Sequence, residues 1–407
     1  MDAWSESLRQ RLAGWKEAGL ERRLRLSTGR GVHIELDGRP VVSFASNDYL
    51  GLSHHPRVLA AAHAALDASG AGATASRLLA GNKPEHVGLE EDLARFKRTA
   101  AALVFPTGYQ TALGTLTGLT GGDEGCAVVL DRLVHACLLD GARLSGARVR
   151  TFPHNDVGDL KRVLEAEARR SRDEAGPGAA SGTAGACRLL VVVESLYSMD
   201  GDVAPLGQIY AAARAAGAWL LVDEAHATGV LGPGGRGALA EVFSGALPED
   251  VLSMGTLSKA LGSQGGFLCA SQLVIEALTQ GARQFLFSTG LAPAAAAAAR
   301  AALAIAQEDQ HRRAGLLRRA DQLRSALRQA GWKVLGGPGP ILPVLVGGES
   351  RAVELAGRLL KEGLWAPAVR YPTVPKGAAR LRVSLSAEHT DEDIAALAKG
   401  LSQRFSV

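Results

Sequence analysis

The stretch Trp219–Gly229, WLLVDEAHATG, opens with four apolar residues in succession and closes on two acids, a histidine and a glycine. Side chains of a strand alternate between two faces, so an unbroken apolar run predicts a strand covered on both sides, the situation of a parallel sheet flanked by helices. The pattern recurs upstream in AALVF, ending at Phe105, in CAVVLD from Cys126, and in CRLLVVVE, ending at Glu194, and VRTF reads as a further strand between helical segments. Helical segments such as HPRVLAAAHAALDAS and EHVGLEEDLARFKR separate or precede these runs. The alternation predicts an α/β domain with a mainly parallel sheet, spanning residues 46–290. Ligands of such sheets bind beyond the carboxyl ends of the strands.

Outside this core, residues 5–25 read as a basic amphipathic helix, and GVHIELDGRPVVSF as a hairpin turning at Asp37-Gly38. Together they form an N-terminal arm, residues 1–45. Beyond Pro293 come a long helical stretch, strand-like ILPVLVG, helical SRAVELAGRLLKEG, strand-like WAPAVR and ARLRVSLS, and a last helix after His389. This mixture predicts a small α+β domain with a partly antiparallel sheet, residues 291–407. The Gly- and Ala-rich segment 169–186, RRSRDEAGPGAASGTAGA, reads as an exposed excursion between a helix and the next strand.

The composition excludes several classes. With 47% hydrophobic and 21% charged residues the chain is not broadly disordered. Forty-five basic against 41 acidic residues leave a net charge of +4, too small a bias over 407 residues to imply nucleic acid. Cys126, Cys137, Cys187 and Cys269 lack metal or redox-pair spacing and read as reduced thiols, with no metal site expected. No secretory signal is visible, and the alanine-rich run near 292–304 is interrupted by Pro293 and Arg300, so no membrane span and a cytoplasmic location are expected.

Three features fall at predicted strand ends. FPTGYQTA follows Phe105, where Gly108 permits a tight turn and amides there and at Tyr109 can face an anion at a helix N-terminus. LLVDEAHATG places Asp223, Glu224 and His226 together. SMGTLSKALGSQGG carries a single lysine, Lys259, beside the hydroxyls of Thr256 and Ser258. Each has an ordinary reading: the glycine as a plain turn, the acid as a helix cap, the lysine as a surface group.

One cofactor needs all three. Pyridoxal phosphate requires an amine for its aldehyde, a carboxylate against its ring nitrogen and donors for its phosphate. Lys259, Asp223 and the Gly108 turn supply these, His226 could support the phenolic oxygen, and the flat ring of His135 in DRLVHACLLDG could stack on the opposite face. Nucleotide binding fits less well, since there is no GxxxxGK[ST] run and GAGATAS follows no clear strand. Zinc hydrolysis lacks an HExxH segment.

Nearly the whole chain, through SNDYLGLSHHP, DRLVHACLLDG, HNDV, SMDGDVAPL, VDEAHATGVLGPGGRG and GTLSKALGSQGG in that order, resembles the α-oxoamine synthase family of fold type I pyridoxal-phosphate enzymes. The resemblance implies a seven-stranded large-domain sheet and a homodimer with shared active sites. It implies Lys259 as the cofactor-bound lysine, Asp223 at the ring nitrogen, His226 and Ser198 near the phenolic oxygen, and His135 stacked. Gly108, Tyr109 and Thr256 then cradle the phosphate, and Ser288 and Thr289 reach toward the neighbouring subunit's phosphate. Arg382 takes the position that holds the amino-acid carboxylate, with Asn47 nearby, and Arg370 and Thr373 line the acyl side. On the residues alone, Arg380 and Arg382 alternate on a strand and could simply face solvent. An ungapped match leaves Glu21 where the family has an arginine, so Arg22 and Arg23 are both candidates for the substrate tail. DEAHATG and ASRLLAGNKPEH are similar to the biotin-pathway branch, which implies L-alanine and a pimeloyl thioester of coenzyme A or acyl-carrier protein as substrates. Glycine C-acetyltransferase and serine palmitoyltransferase share the same machinery and are the alternatives; a noncatalytic relative that kept the fold is the rival from another class.

Overall fold

The computed structural model describes residues 2–17, 19–122, 125–175 and 188–402. After helix α1 (Ala3–Glu17) come three short strands, β1 (Ser27–Arg30), β2 (His33–Leu36) and β3 (Arg39–Ser43), then α2 (Pro56–Ser69) and α3 (Pro84–Lys97). The large domain continues with β4 (Ala101–Phe105), α4 (Gly108–Thr120), β5 (Cys126–Asp131), α5 (Ala136–Leu144), β6 (Arg148–Phe152), α6 (Val157–Ala175), β7 (Arg188–Glu194) and β8 (Trp219–Asp223). Strands β9 (Val251–Thr256) and β10 (Gly266–Ala270) complete a seven-stranded sheet of order β4-β10-β9-β8-β7-β5-β6. Its pairings are parallel except those of β10, which runs antiparallel to both neighbours.

The apolar runs are covered on both faces, as their sequence requires. Val191 and Val193 of β7 and Leu220 and Val222 of β8 join one buried cluster, while Leu190, Val192 and Leu221 between them join a second on the opposite face. Full burial of each such side chain contributes about 1.5–3 kcal/mol, so the sheet's centre is fixed in place while its strand ends are free to carry polar groups. At Gly255 a Cβ would come within 2.4 Å of the Phe267 ring, so glycine lets that ring lie across the β9–β10 pair.

In the C-terminal region β11 (Lys333–Val334), β12 (Ile341–Gly347), β14 (Ala368–Val369) and β15 (Ala379–Ser384) form an antiparallel sheet of order β11-β12-β15-β14. Strand β13 (Leu364–Trp365) instead pairs in parallel with β3, joining the N-terminal strands to this region. The architecture is thus a large mixed sheet with a smaller C-terminal α+β unit.

Several local expectations are corrected. The N-terminal helix ends at Glu17, not near residue 25: Gly19 takes φ 64° and donates to Lys16 O, a left-handed stop that leaves Arg22 and Arg23 on an irregular, exposed segment. The hairpin turns at Asp37-Gly38 with φ 51° and 77°, the two positive angles of a type I′ turn, but a further strand, β1, precedes it. WAPAVR divides between β13 and β14, in different sheets. The long helix after Pro293 is two, Pro293–Glu308 and Gln310–Gln329, because Asp309 breaks the backbone and caps the second through Arg312 N. Helix α6 runs to Ala175, into the expected excursion; residues 176–186 of that segment and Cys187 lie outside the described residues. Cys126, Cys137 and Cys269 are buried free thiols. Among the described residues no helix is long and apolar enough to cross a membrane.

Candidate active site

A cavity of about 270 Å³ opens at the carboxyl ends of the large sheet's strands, and the three sequence features meet there. Gly108 and Tyr109 enter from the start of α4, His135 from the start of α5, Asp223 and His226 from the end of β8, and Thr256 and Lys259 from the end of β9.

The floor of the cavity is the N-terminus of α4, where free amides can face an anion. Thr107 caps the helix, its Oγ1 accepting from Gln110 N at 3.0 Å, and the N–H groups of Gly108 and Tyr109 in the first turn have no intrahelical acceptor. Strand β10 approaches this turn so closely that a Cβ on Gly266 would lie 2.6 Å from Gly108 Cα. Thr256 Oγ1 donates to Gly265 O at 2.8 Å and lies 2.8 Å from Ser258 Oγ, bringing hydroxyls to the same edge. These amides and hydroxyls fit the phosphate of pyridoxal phosphate.

Lys259 Nζ lies 2.8 Å from His226 Nε2, and the contact continues beyond it. Tyr49 Oη is 2.6 Å from His226 Nδ1 and donates to Asn47 Oδ1 at 3.1 Å, and the same Asn47 oxygen accepts from Arg382 Nη1 and Nη2, both at 3.2 Å. An ammonium has only donors, so with Lys259 charged His226 accepts at Nε2 and donates from Nδ1 to Tyr49. Arg382 Nε donates to Ser198 O at 2.8 Å. The lysine and the small-domain arginine are therefore ends of one hydrogen-bonded chain.

Burial governs the titration of these groups. It pushes the Lys259 ammonium down against the pull of Asp223 and Glu194, and holds His226 well below the ordinary histidine value, with Lys259 and Arg382 adding to the effect. Burial raises Asp223 while Lys259 opposes it, and Asp223 Oδ1 accepts from Ala225 N at 2.8 Å. Burial also lowers His135, whose Nδ1 caps α5 by accepting from Cys137 N at 3.3 Å. In the neutral ring Nε2 then carries the proton. Burial raises the Tyr49 hydroxyl to about 12, so it stays protonated at neutral pH.

The remaining expected residues lie elsewhere. Ser198 sits in the turn after β7, its carbonyl holding Arg382. Ser288 and Thr289 lie outside the cavity, Ser288 Oγ accepting from Gln110 Nε2 at 3.2 Å and Thr289 bridging to Ser76. Arg22 lines a separate surface groove of about 610 Å³ between α1 and Pro372; Arg23 is exposed beside it in sequence. Arg370 and Thr373 close the turn through Pro372, Thr373 N donating to Arg370 O at 3.0 Å. Arg380 and Arg382 do not face solvent: both are buried. The sequence reading passed over Tyr49, Cys137 and Glu194. Glu194 carried the same signal as Asp223, an acid ending an apolar strand, whereas Tyr49 acts across a separation that no local pattern shows.

The family model described as aminotransferase class I and II matches residues 39–401. The 8-amino-7-oxononanoate synthase of Methylobacterium sp. (strain 4-46) is 45% identical over 395 residues, covering 96% of this chain and 94% of that protein. Among solved structures, Sphingomonas wittichii serine palmitoyltransferase superposes with a TM-score of 0.87 at 32% identity, covering 99% of this chain and 98% of that one. An 8-amino-7-oxononanoate synthase from Francisella tularensis shares the fold, with a TM-score of 0.73 at 24% identity over 89% of this chain and 97% of that one.

Proposed function

The chain belongs to the class I and II aminotransferase family and, within its fold type I pyridoxal-phosphate enzymes, to the α-oxoamine synthases; from that premise we propose that it condenses L-alanine with a pimeloyl thioester, releasing the carrier thiol and carbon dioxide and giving 8-amino-7-oxononanoate. It is an acyltransferase-type enzyme using pyridoxal 5′-phosphate. The observation that carries the reading is the meeting of Lys259, Asp223 and His135 on one cavity beside a phosphate-shaped helix start.

With pyridoxal phosphate in the cavity, Lys259 would supply the amine for its aldehyde, Asp223 the carboxylate for its ring nitrogen, His226 a partner for its phenolic oxygen, and the Gly108–Tyr109 amides with Thr256 the donors for its phosphate. When bound, the cofactor supplies an electron sink for negative charge on the carbon next to the amino group. Arg382, with its forked donors, orients the amino-acid carboxylate beside Asn47, a positional contribution. The depressed Lys259 amine, once free, is suited to take the α-proton at neutral pH. His135, its Nδ1 occupied by the Cys137 amide, keeps Nε2–H as a donor toward charge developing on the acyl oxygen. Arg22, Arg23, Arg370 and Thr373 belong to the acyl side of this proposal. So does a homodimer in which Ser288 and Thr289 complete the neighbour's phosphate site; the exposed Leu78, Leu79 and Phe287 flanking the Ser76–Thr289 bridge support it. A cytoplasmic location is part of the same proposal.

The likeness to serine palmitoyltransferase favours a second reading, in which serine and a long acyl thioester are the substrates. A matrix of alanine, glycine and serine against pimeloyl, acetyl, succinyl and palmitoyl thioesters, scored by thiol release and product mass, separates the two. Alanine with pimeloyl is the expected pair. Preference for serine with palmitoyl, or for glycine with acetyl, ends the alanine–pimeloyl assignment.

A further inference from the structure

Glu194 ends β7 directly opposite Asp223 in the register of the parallel β7–β8 pair, and both carboxyl groups line the cavity. We propose that Glu194 holds the proton this pair of carboxyl groups shares, so that one negative charge, on Asp223, faces the ring nitrogen of the cofactor. The proposal rests on the cofactor reading for Asp223 and adds a positioning residue to it.

The argument starts from unequal solvation. Asp223 has the Ala225 amide at 2.8 Å and Lys259 as its strongest favourable charge. Glu194 is 2% exposed, and its Oε1 has no hydrogen-bond partner. A buried carboxylate oxygen without a donor carries its full desolvation cost, and protonation removes that cost. The groups facing Glu194 are Asp223 on β8, Lys259 after β9, the backbone amides of His135 and Ser198, and the thiol and phenol of Cys137 and Tyr197. Only Lys259 is a cation among these, and Asp223 claims it too. With His135 and His226 neutral, an ionised Glu194 would set two carboxylates against the one ammonium that lines the cavity, and a protonated Glu194 leaves that lining balanced; Arg382, whose charge also reaches Lys259 and His226, lies behind the lining and is held by Ser198 O and Asn47 Oδ1. Burial first, then Asp223, pushes the Glu194 carboxyl up to about 8.

The test uses protein without cofactor, so it stands apart from whether pyridoxal phosphate binds. With the glutamate carboxyl carbons isotopically labelled, nuclear magnetic resonance follows their titration. One glutamate is expected to ionise with a midpoint of about 8, and its signal should vanish in Glu194→Gln. In Asp223→Asn, where the like charge is gone, the midpoint should fall by about one pH unit or more. A wild-type protein whose glutamates all ionise in the ordinary range overturns the proposal, as does a high-pH signal that survives Glu194→Gln. An unshifted midpoint in Asp223→Asn overturns it even if Glu194→Gln does not fold. Glu194→Gln, a neutral isostere of the acid, should still give the wild-type visible band with pyridoxal phosphate at pH 7; loss of that band in the folded variant means that the charge is needed and sinks the proposal. Failure of wild type itself to give the band would strike the cofactor reading and leave the titration untouched.

Discussion

Tyr49 is fully buried between His226 and Asn47, and its hydroxyl has to accept from one and donate to the other when Lys259 is charged. Tyr49→Phe keeps the ring and removes this one link. A buried hydrogen bond of this kind contributes about 0.5–1.5 kcal/mol, and orphaning its partners adds to that, so kcat/KM is expected to fall about 5- to 30-fold. Because the phenol titrates only at about 12, the loss should be the same across pH 6–9; steady-state kinetics at several pH values check this, and a loss confined to the alkaline limb would refute the neutral donor. Lys259→Ala, by contrast, is expected to abolish the visible band and borohydride capture of the cofactor. Lys259 and Asp223 were legible in the sequence because a lone cation among small residues and an acid ending an apolar strand are local signals. Glu194 ends an apolar strand just as Asp223 does, but its missing donor shows only once the strand ends are folded together. Tyr49 had no local signal, because it owes its role to a contact 177 residues distant.

At the level of elements, the loop after β8 that carries Asp223 and His226 to the cavity is pinned from below. Lys97, at the end of α3, donates to Glu224 Oε2 at 2.8 Å, Thr228 Oγ1 at 2.9 Å and Arg236 O at 2.7 Å, while Glu224 also accepts from Leu239 N and Ser253 Oγ. Every charge in this buried network has partners, so Glu224, next to Asp223, serves the loop and not the cavity. Lys97→Met strands the Glu224 carboxylate and should cost about 3–5 kcal/mol in urea unfolding, part of it regained by adding Glu224→Gln. A second tie joins the ends of β5 and β6 to the turn after β7: His154 lies 3.0 Å from Asp131 and 2.8 Å from Asp202. Burial opposes its charge, but the two carboxylates push it up to about 10 from 6.5. A raised folded value means that the stabilisation is complete below about pH 6.5 and is lost as pH rises through about 10. Wild-type stability should decline across that window, and His154→Gln should be weaker below it and flat across it. Strands β4, β5, β7 and β8 were legible because they are apolar on both faces; β6, at the sheet edge with Arg148, Arg150 and Thr151 not buried, was marked only by its place between two helical segments. VLSMGT and GFLCA, which became β9 and β10, were not, since Ser253, Gly255 and Gly266 interrupt the apolar pattern where the sheet packs too tightly for larger groups.

Across the whole molecule, two arginines of β15 join the small sheet to the large one. Arg380 Nη1 reaches Asp200 Oδ1 at 2.7 Å and Met199 O at 3.0 Å, while Arg382 holds Ser198 O and the Asn47 that leads back to Lys259. Both bind the turn after β7, so the small domain is registered on the strand end that carries Glu194. On the strand ARLRVS the two residues share a face by period-two spacing, which was legible; that this face turns inward was not, because two charged side chains on one face ordinarily mean solvent. The shared turn gives them separable roles. Arg380 touches only protein, so Arg380→Met should lower stability while leaving the KM for the amino acid within about threefold, the loss being that of an anchored ion pair. Arg382 offers a planar fork that a lysine cannot reproduce, and a carboxylate held by two parallel donors loses one of them in Arg382→Lys. Each lost charge-assisted hydrogen bond is worth about 1.5–3 kcal/mol, so the KM for the amino-acid substrate should rise about 10- to 100-fold with cofactor loading unchanged. A variant in which kcat falls alone, with KM intact, would mean that the arginine serves the hydrogen-bonded chain to Lys259 and that the carboxylate is held by another group.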